Sequence, residues 1–132
     1  MIHAQSFAEP WDEHLIEYFL GLPSSLAFLD EREGGISAFV LCRLICDESE
    51  VLTFAVAPAW RRRGIGRQLI ESAQRAIRGL GGKRLFLEVA EDAPATRALY
   101  QGAGFHVVGC RHGYYRRAAG EAVNALVMCC DL

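Results

Sequence analysis

Val51-Leu52-Thr53-Phe54-Ala55-Val56-Ala57-Pro58-Ala59-Trp60-Arg61-Arg62-Arg63-Gly64-Ile65-Gly66-Arg67 is an apolar run that passes through a proline and two glycines into a polar, helix-forming segment. Residues 50–57 read as a strand. Past Gly64 the period changes. Ile65, Leu69, Ala73, Ala76 and Leu80 recur on one face of a 3.6-residue turn, and Arg67, Glu71, Gln74 and Arg78 fall largely outside it. A strand that becomes a helix through glycines leaves the first helical amides without partners and sets the positive end of the helix dipole at the turn. Gly64 and Gly66 let the backbone take unusual dihedrals and approach a ligand closely. Arg61, Arg62, Arg63 and Arg67 concentrate positive potential at the same place. The segment therefore has the chemistry of an anion site able to take a pyrophosphate. The bland alternative is a solvated basic turn ahead of an ordinary helix. A Walker loop needs G-x-x-x-x-G-K-[ST], which is absent, and a dinucleotide fingerprint needs a third glycine where Leu69 stands.

Outward from this stretch, residues 11–20 carry Trp11, Leu15, Tyr18 and Phe19 at helical spacing and stop at Gly21-Leu22-Pro23, so a short first helix is expected. Residues 25–29 and 36–46 are apolar and flank Asp30-Glu31-Arg32-Glu33-Gly34-Gly35, the pattern of a hairpin. Gly79, Gly81 and Gly82 close the long helix. Residues 83–89 then read as a strand, 94–101 as a helix with proline in its first turn, 105–111 as a strand, and 122–131, after a polar turn, as a last strand. There is no repeat, low-complexity tract or linker, so residues 1–132 are expected to form one α/β domain around a sheet of mixed direction.

Composition narrows the function classes. Hydrophobic residues make up 52% and charged residues 23%, which suits a packed core and not a disordered chain. A net charge of -2 and a pI near 6.1 argue against broad attraction to nucleic acid or an anionic membrane. The first residues, Met1-Ile2-His3-Ala4-Gln5-Ser6, lack a basic and an apolar signal region, and no run is long enough to cross a bilayer. The expectation is a cytoplasmic protein with no membrane partner and no direct nucleic-acid binding. Cys42, Cys46, Cys110, Cys129 and Cys130 are odd in number and contain no C-x-x-C pair, so buried free thiols are expected. His3, His14, His106 and His112 lack metal-ligand spacing, and no metal is expected.

The spacing Arg61-x-x-Gly64-x-Gly66 behind Val56-Ala57-Pro58 resembles the coenzyme A signature [QR]-x-x-G-x-[GA] of the GNAT N-acetyltransferases. Leu87-Glu88-Val89, followed by Ala98-Leu99-Tyr100-x-x-x-Gly104-Phe105, is similar to that family's later strand and its helix ending L-Y-x-x-x-G-F. Within the family the chain looks most like the bacterial ribosomal-protein-alanine N-acetyltransferases, through Phe7-x-x-Pro10-Trp11, Leu87-Glu88-Val89, Tyr114-Tyr115 and Ala125-Leu126-Val127-Met128. The resemblance implies a mixed, mostly antiparallel sheet flanked by helices, here without the family's usual first strand. It implies acetyl-coenzyme A as donor, held by Phe54, Ala55, Val56, Arg61, Arg62, Arg63, Gly64, Ile65, Gly66 and Arg67. It also implies a base at Glu88, an acid at Tyr100, and a protein N-terminal amine as acceptor, in particular the alanine of a ribosomal protein. The chain departs from the pattern at Ala93, where the family has a cofactor-contacting asparagine, at Arg116, where the subgroup often has proline, and at Asn124, where an acidic residue is common.

The residues support such chemistry on their own terms. Acetyl transfer to an amine needs a proton removed from the ammonium, an oxyanion stabilised, and a proton returned to the departing thiolate. Glu88 is a carboxylate in an apolar strand, and Tyr100 is a phenol near the end of the next helix. Both also suit packing roles, and Tyr114-Tyr115 before Arg116-Arg117 suits either an acceptor channel or a plain surface turn. The oxyanion would meet a backbone N–H of residues 54–56 if that strand splays from its neighbour. Lysine or small-molecule acetylation, a coenzyme A-binding module without catalysis, and a nucleic-acid module are the competing functions.

Overall fold

In this computed structural model, residues 25–33, 35–116 and 120–132 are described. The helix expected over 11–20 lies outside them, and so does the segment in which the family's first strand was expected to be missing. The hairpin forms as expected: β1, Ser25–Arg32, runs antiparallel to β2, Gly35–Ile45. A tight turn with Cys46 at φ 58° then leads into β3, Glu48–Val56, also antiparallel to β2. α1, Ile65–Gly79, crosses back over β1, β2 and β3. β4, Arg84–Ala90, then runs parallel to β3, as a helical crossover permits. α2, Pro94–Gly102, leads to β5, His106–Arg116, and β6, Ala122–Asp131, returns between β4 and β5. The sheet order is β1-β2-β3-β4-β6-β5, with every pairing antiparallel except β3 with β4.

One face of the sheet packs on α1 through Val40, Phe54, Leu85, Leu87, Val89 and Met128, against Ile65, Leu69, Ile70, Ala73 and Ile77. The helix stripe differs from the expected one. Ile70 and Ile77 are fully buried, whereas Leu80 is exposed, because the helix ends at Gly79 and Leu80 only caps it. Truncating Ile70 to alanine would leave a hole at the centre of this layer. It is expected to lower the unfolding free energy by about 2–5 kcal/mol, read by urea denaturation.

β5 ends five residues later than expected, at Arg116, so Tyr114 and Tyr115 belong to a strand and not to a turn. Its length was hidden because the strand is irregular: the register slips between Arg111 and Tyr115, where the Gly113 N–H donates to the side-chain oxygen of Asn124 at 2.9 Å. Of the cysteines, Cys42, Cys129 and Cys130 are buried as expected, but Cys46, at a turn, and Cys110, on the edge strand, are exposed.

Burial pushes the Cys42 thiol from its ordinary 9.0 up to about 12, and burial also raises the Tyr100 phenol, reinforced by the neighbouring Cys42 and Tyr115. Both groups are neutral in the fold and ionise more readily in the unfolded chain. Their contribution to stability is therefore complete below pH 9 and falls as pH rises from there toward 12. The unfolding free energy should decline above pH 9, and more gently in Cys42→Ala, as followed by urea unfolding across that range.

Candidate functional site

The turn between β3 and α1 is built stepwise. Where β3 ends, the Ala57 N–H donates to the Ser37 carbonyl at 2.7 Å, and Pro58 opens a single 3-10 turn, Pro58–Trp60. The Arg61 side chain folds back, its Nε donating to the Val56 carbonyl at 3.0 Å, which ties the loop to the strand end. Arg62 has φ 62°, a left-handed conformation that L side chains adopt at a cost. Gly64, at φ 78°, turns the chain into α1. The first helical hydrogen bond runs from the Gln68 N–H to the Gly64 carbonyl at 3.1 Å. The amides of Ile65, Gly66 and Arg67 therefore emerge at the helix start, with no acidic residue in that turn to occupy them. Gly66 is where the helix meets the sheet: a Cβ there would lie 2.9 Å from Cζ of Phe54.

These elements line a cleft of about 600 Å³. Of the residues expected to hold a cofactor, Phe54, Ala55, Val56, Arg61, Arg62, Gly64, Ile65, Gly66 and Arg67 line it, and Arg63 does not. The Arg63 guanidinium instead stacks 4.8 Å from the Trp60 ring, which Arg32 also approaches at 5.8 Å. Trp60, Ala95, Thr96 and Leu99 complete the lining and were not among the residues expected to hold a cofactor. Ala95, Thr96 and Leu99 sit at helical i, i+1, i+4 spacing on α2, so helix periodicity carried the signal for them. An opening of this size with helix-start amides, arginines and one apolar wall fits a ligand that joins a pyrophosphate to a long neutral arm.

The β3 wall of the cleft, residues 54–56, belongs to the part of the strand that leaves β4. β3 and β4 pair only from Glu48 opposite Arg84 to Glu50 opposite Phe86. At that point the β2–β3 register shifts: Leu41 faces Thr53 and Cys42 faces Val51, leaving Leu52 as an extra residue. Such a bulge bends its strand, and β3 parts from β4 over residues 51–56. The β4-facing backbone groups there have no partner on that strand.

Glu88 and Tyr100 approach the gap from different sides. Leu87 and Val89 point into the core with α1, so the alternation of β4 puts Glu88 on the opposite face. Its Oε1 pairs with Arg111 Nε at 3.2 Å, and its Oε2 is buried without a hydrogen-bond partner. Tyr100 is buried under the cleft, its ring centroid 6.1 Å from that of Phe54 and 5.7 Å from that of Phe105. Neither residue lines the cleft itself.

Ala93 is the N-cap of α2 and supplies no side-chain hydrogen bond. Restoring an acceptor with Ala93→Asn is expected to raise the unfolding free energy by about 1 kcal/mol, as read by chemical denaturation. Among the described residues no helix is long and apolar enough to cross a membrane, and no group of three or more metal-ligating side chains converges.

Comparison with known proteins agrees with this geometry. The profile of the acetyltransferase (GNAT) family matches residues 1–105. The [ribosomal protein bS18]-alanine N-acetyltransferase of Escherichia coli K12 is 31% identical over 127 residues, covering 96% of this chain and 84% of the relative. The enzyme of that name from Haemophilus influenzae is 34% identical over 97 residues, covering 74% of this chain and 66% of the relative. The crystal structure of the E. coli ribosomal-protein-S18-alanine N-acetyltransferase superposes with a TM-score of 0.84 at 30% identity, over 95% of this chain and 79% of that one. A GNAT family acetyltransferase from Elizabethkingia anophelis with acetyl-CoA bound shares the fold, with a TM-score of 0.76 at 18% identity over 96% of this chain and 94% of its own.

Proposed function

We propose that this chain, which belongs to the GNAT acetyltransferase family and is an N-acetyltransferase, takes acetyl from acetyl-coenzyme A and moves it to a protein N-terminal amine, specifically the N-terminal alanine of a ribosomal protein. The observation that carries the reading is the cleft at the parting of β3 and β4, with the helix-start amides on one side and the half-buried carboxylate of Glu88, one oxygen of it buried, across the sheet. Its relatives named for alanine N-acetylation support the acceptor.

The roles follow from placement. The amides of Ile65, Gly66 and Arg67, with Arg61 and Arg62, would hold the pyrophosphate, and Phe54, Val56 and Leu99 would bound the neutral arm. A β3 amide facing the gap would donate to the oxyanion. Glu88 accepts the ammonium proton, directly or through water, from the face opposite the cleft. Tyr100, kept protonated by its burial, would give a proton to the departing thiolate and would regain one through the cleft once coenzyme A leaves. Residues 1–132 act as one catalytic domain.

The test is thiol release from acetyl-coenzyme A with three acceptor sets: alanine-starting peptides, N-blocked lysine peptides, and free small amines. The reading requires the first to be preferred by kcat/KM. Preference for lysine or small amines would replace the acceptor, and tight cofactor binding with no turnover on any amine would mark a binding module.

A further inference from the structure

We propose that Arg111 is a positioning residue for Glu88: its guanidinium holds one carboxylate oxygen across β6 and leaves the other for the acceptor amine. The proposal rests on the reading of Glu88 as base. The two residues are not strand neighbours. Glu88 lies opposite Val127 on β6, Val127 lies opposite Gly109 on β5, and Arg111 lies opposite Ala125. An arginine on β5 can reach Glu88 only by lying across β6. The residue beneath it, Ala125, is a fully buried methyl, and the neighbouring β5 position, Gly109, has no side chain to stand in the way.

The irregular stretch of β5 fixes the arginine from its other side. There the Gly113 N–H bonded to Asn124 closes the bulge, and the Tyr114 ring centroid lies 5.0 Å from the Arg111 guanidinium carbon. Bulges re-aim side chains and recur beside active sites. The arginine therefore has three constraints: the carboxylate, the aromatic face and the bulge.

The two oxygens of Glu88 differ in state. Oε1 has its partner at 3.2 Å, and Oε2 has none although it is shielded from solvent. A buried acceptor left without a donor is costly and marks a place where a donor arrives. An ammonium, or a water between it and the carboxylate, supplies that donor. Arg111 is itself about half exposed, so its main effect is geometric: it selects which oxygen is free and where it points.

The experiment measures kcat, and KM for each substrate, by thiol release with an alanine-starting peptide. It compares the parent, Arg111→Met, Arg111→Lys, Glu88→Gln and the Arg111→Met/Glu88→Gln double variant. Arg111→Met is expected to lower kcat about 10- to 100-fold, with KM for acetyl-coenzyme A unchanged. Arg111→Lys should recover most of the loss, and Arg111→Met should cost nothing further once Glu88 is glutamine. Parental kcat in Arg111→Met, or losses that multiply in the double variant, would overturn the proposal. Parental kcat in Glu88→Gln alone would remove the base reading and the Arg111 role with it. That failure shows in a different variant and so is distinct.

Discussion

Glu88→Gln is expected to lower kcat by about 10²–10⁴-fold while leaving the affinity for acetyl-coenzyme A unchanged. The amide keeps the shape of the side chain but can no longer take a proton, and Glu88 lies on the face of β4 away from the cofactor cleft. Tyr100→Phe should behave in the same way at the other end of the reaction, removing the proton meant for the thiolate and little else. Its ring would keep its packing against Phe54 and Phe105. The measurement is steady-state thiol release alongside calorimetric binding of acetyl-coenzyme A. A Glu88→Gln enzyme that turns over at the parental rate would show that another group takes the proton.

Gly66→Val should weaken cofactor binding, raising Kd at least about tenfold, which corresponds to about 1.4 kcal/mol. A Cβ at this position would sit 2.9 Å from Phe54 Cζ, 3.2 Å from Val56 Cγ2 and 3.3 Å from Leu99 Cδ1, all cleft residues. The Phe54 ring cannot retreat easily, because Tyr100 backs it and Phe105 backs Tyr100. The strain should also cost about 1–3 kcal/mol of stability. Gly64→Ala is the informative contrast. A Cβ at Gly64 meets nothing within 4 Å, so the only penalty is the positive φ of 78°. That variant should lose about 1–2 kcal/mol of stability while retaining a cleft of normal shape. Calorimetry with coenzyme A and urea unfolding on both variants separate the two effects. Parental affinity in Gly66→Val would mean that the ligand lies elsewhere.

Much of the architecture was legible because its signals are local. The apolar run through Val56, the glycines at 64 and 66 and the 3.6-residue period beyond them specify a strand, a turn and a helix before any long-range contact is known. The strands at 84–90 and 122–131 came within a residue of their observed limits for the same reason. Where the reading fell short, the periodicity did not mark where an element ends or which side chain a neighbour claims. Leu80 continues the helical period in sequence yet is exposed, since the chain leaves the helix at Gly79. β5 runs on to Arg116 because it pairs with β6 beyond a bulge that breaks its alternation. Arg63, one of an arginine run whose members look alike on paper, was drawn off by the face of Trp60.

The sequence by itself thus determined the order of the described elements, the glycine turn into α1 and the residue types available for acyl transfer, since these depend on backbone preference and periodicity over a few residues. Only the tertiary structure decided that β3 parts from β4 past Glu50, that Tyr100 lies beneath the cleft while Glu88 faces away from it, and that Arg111 reaches Glu88 across β6. Those outcomes depend on register, and on which side chain beneath a crossing is small. Both arise from pairings between segments far apart in the chain, for which no local stretch carries a code.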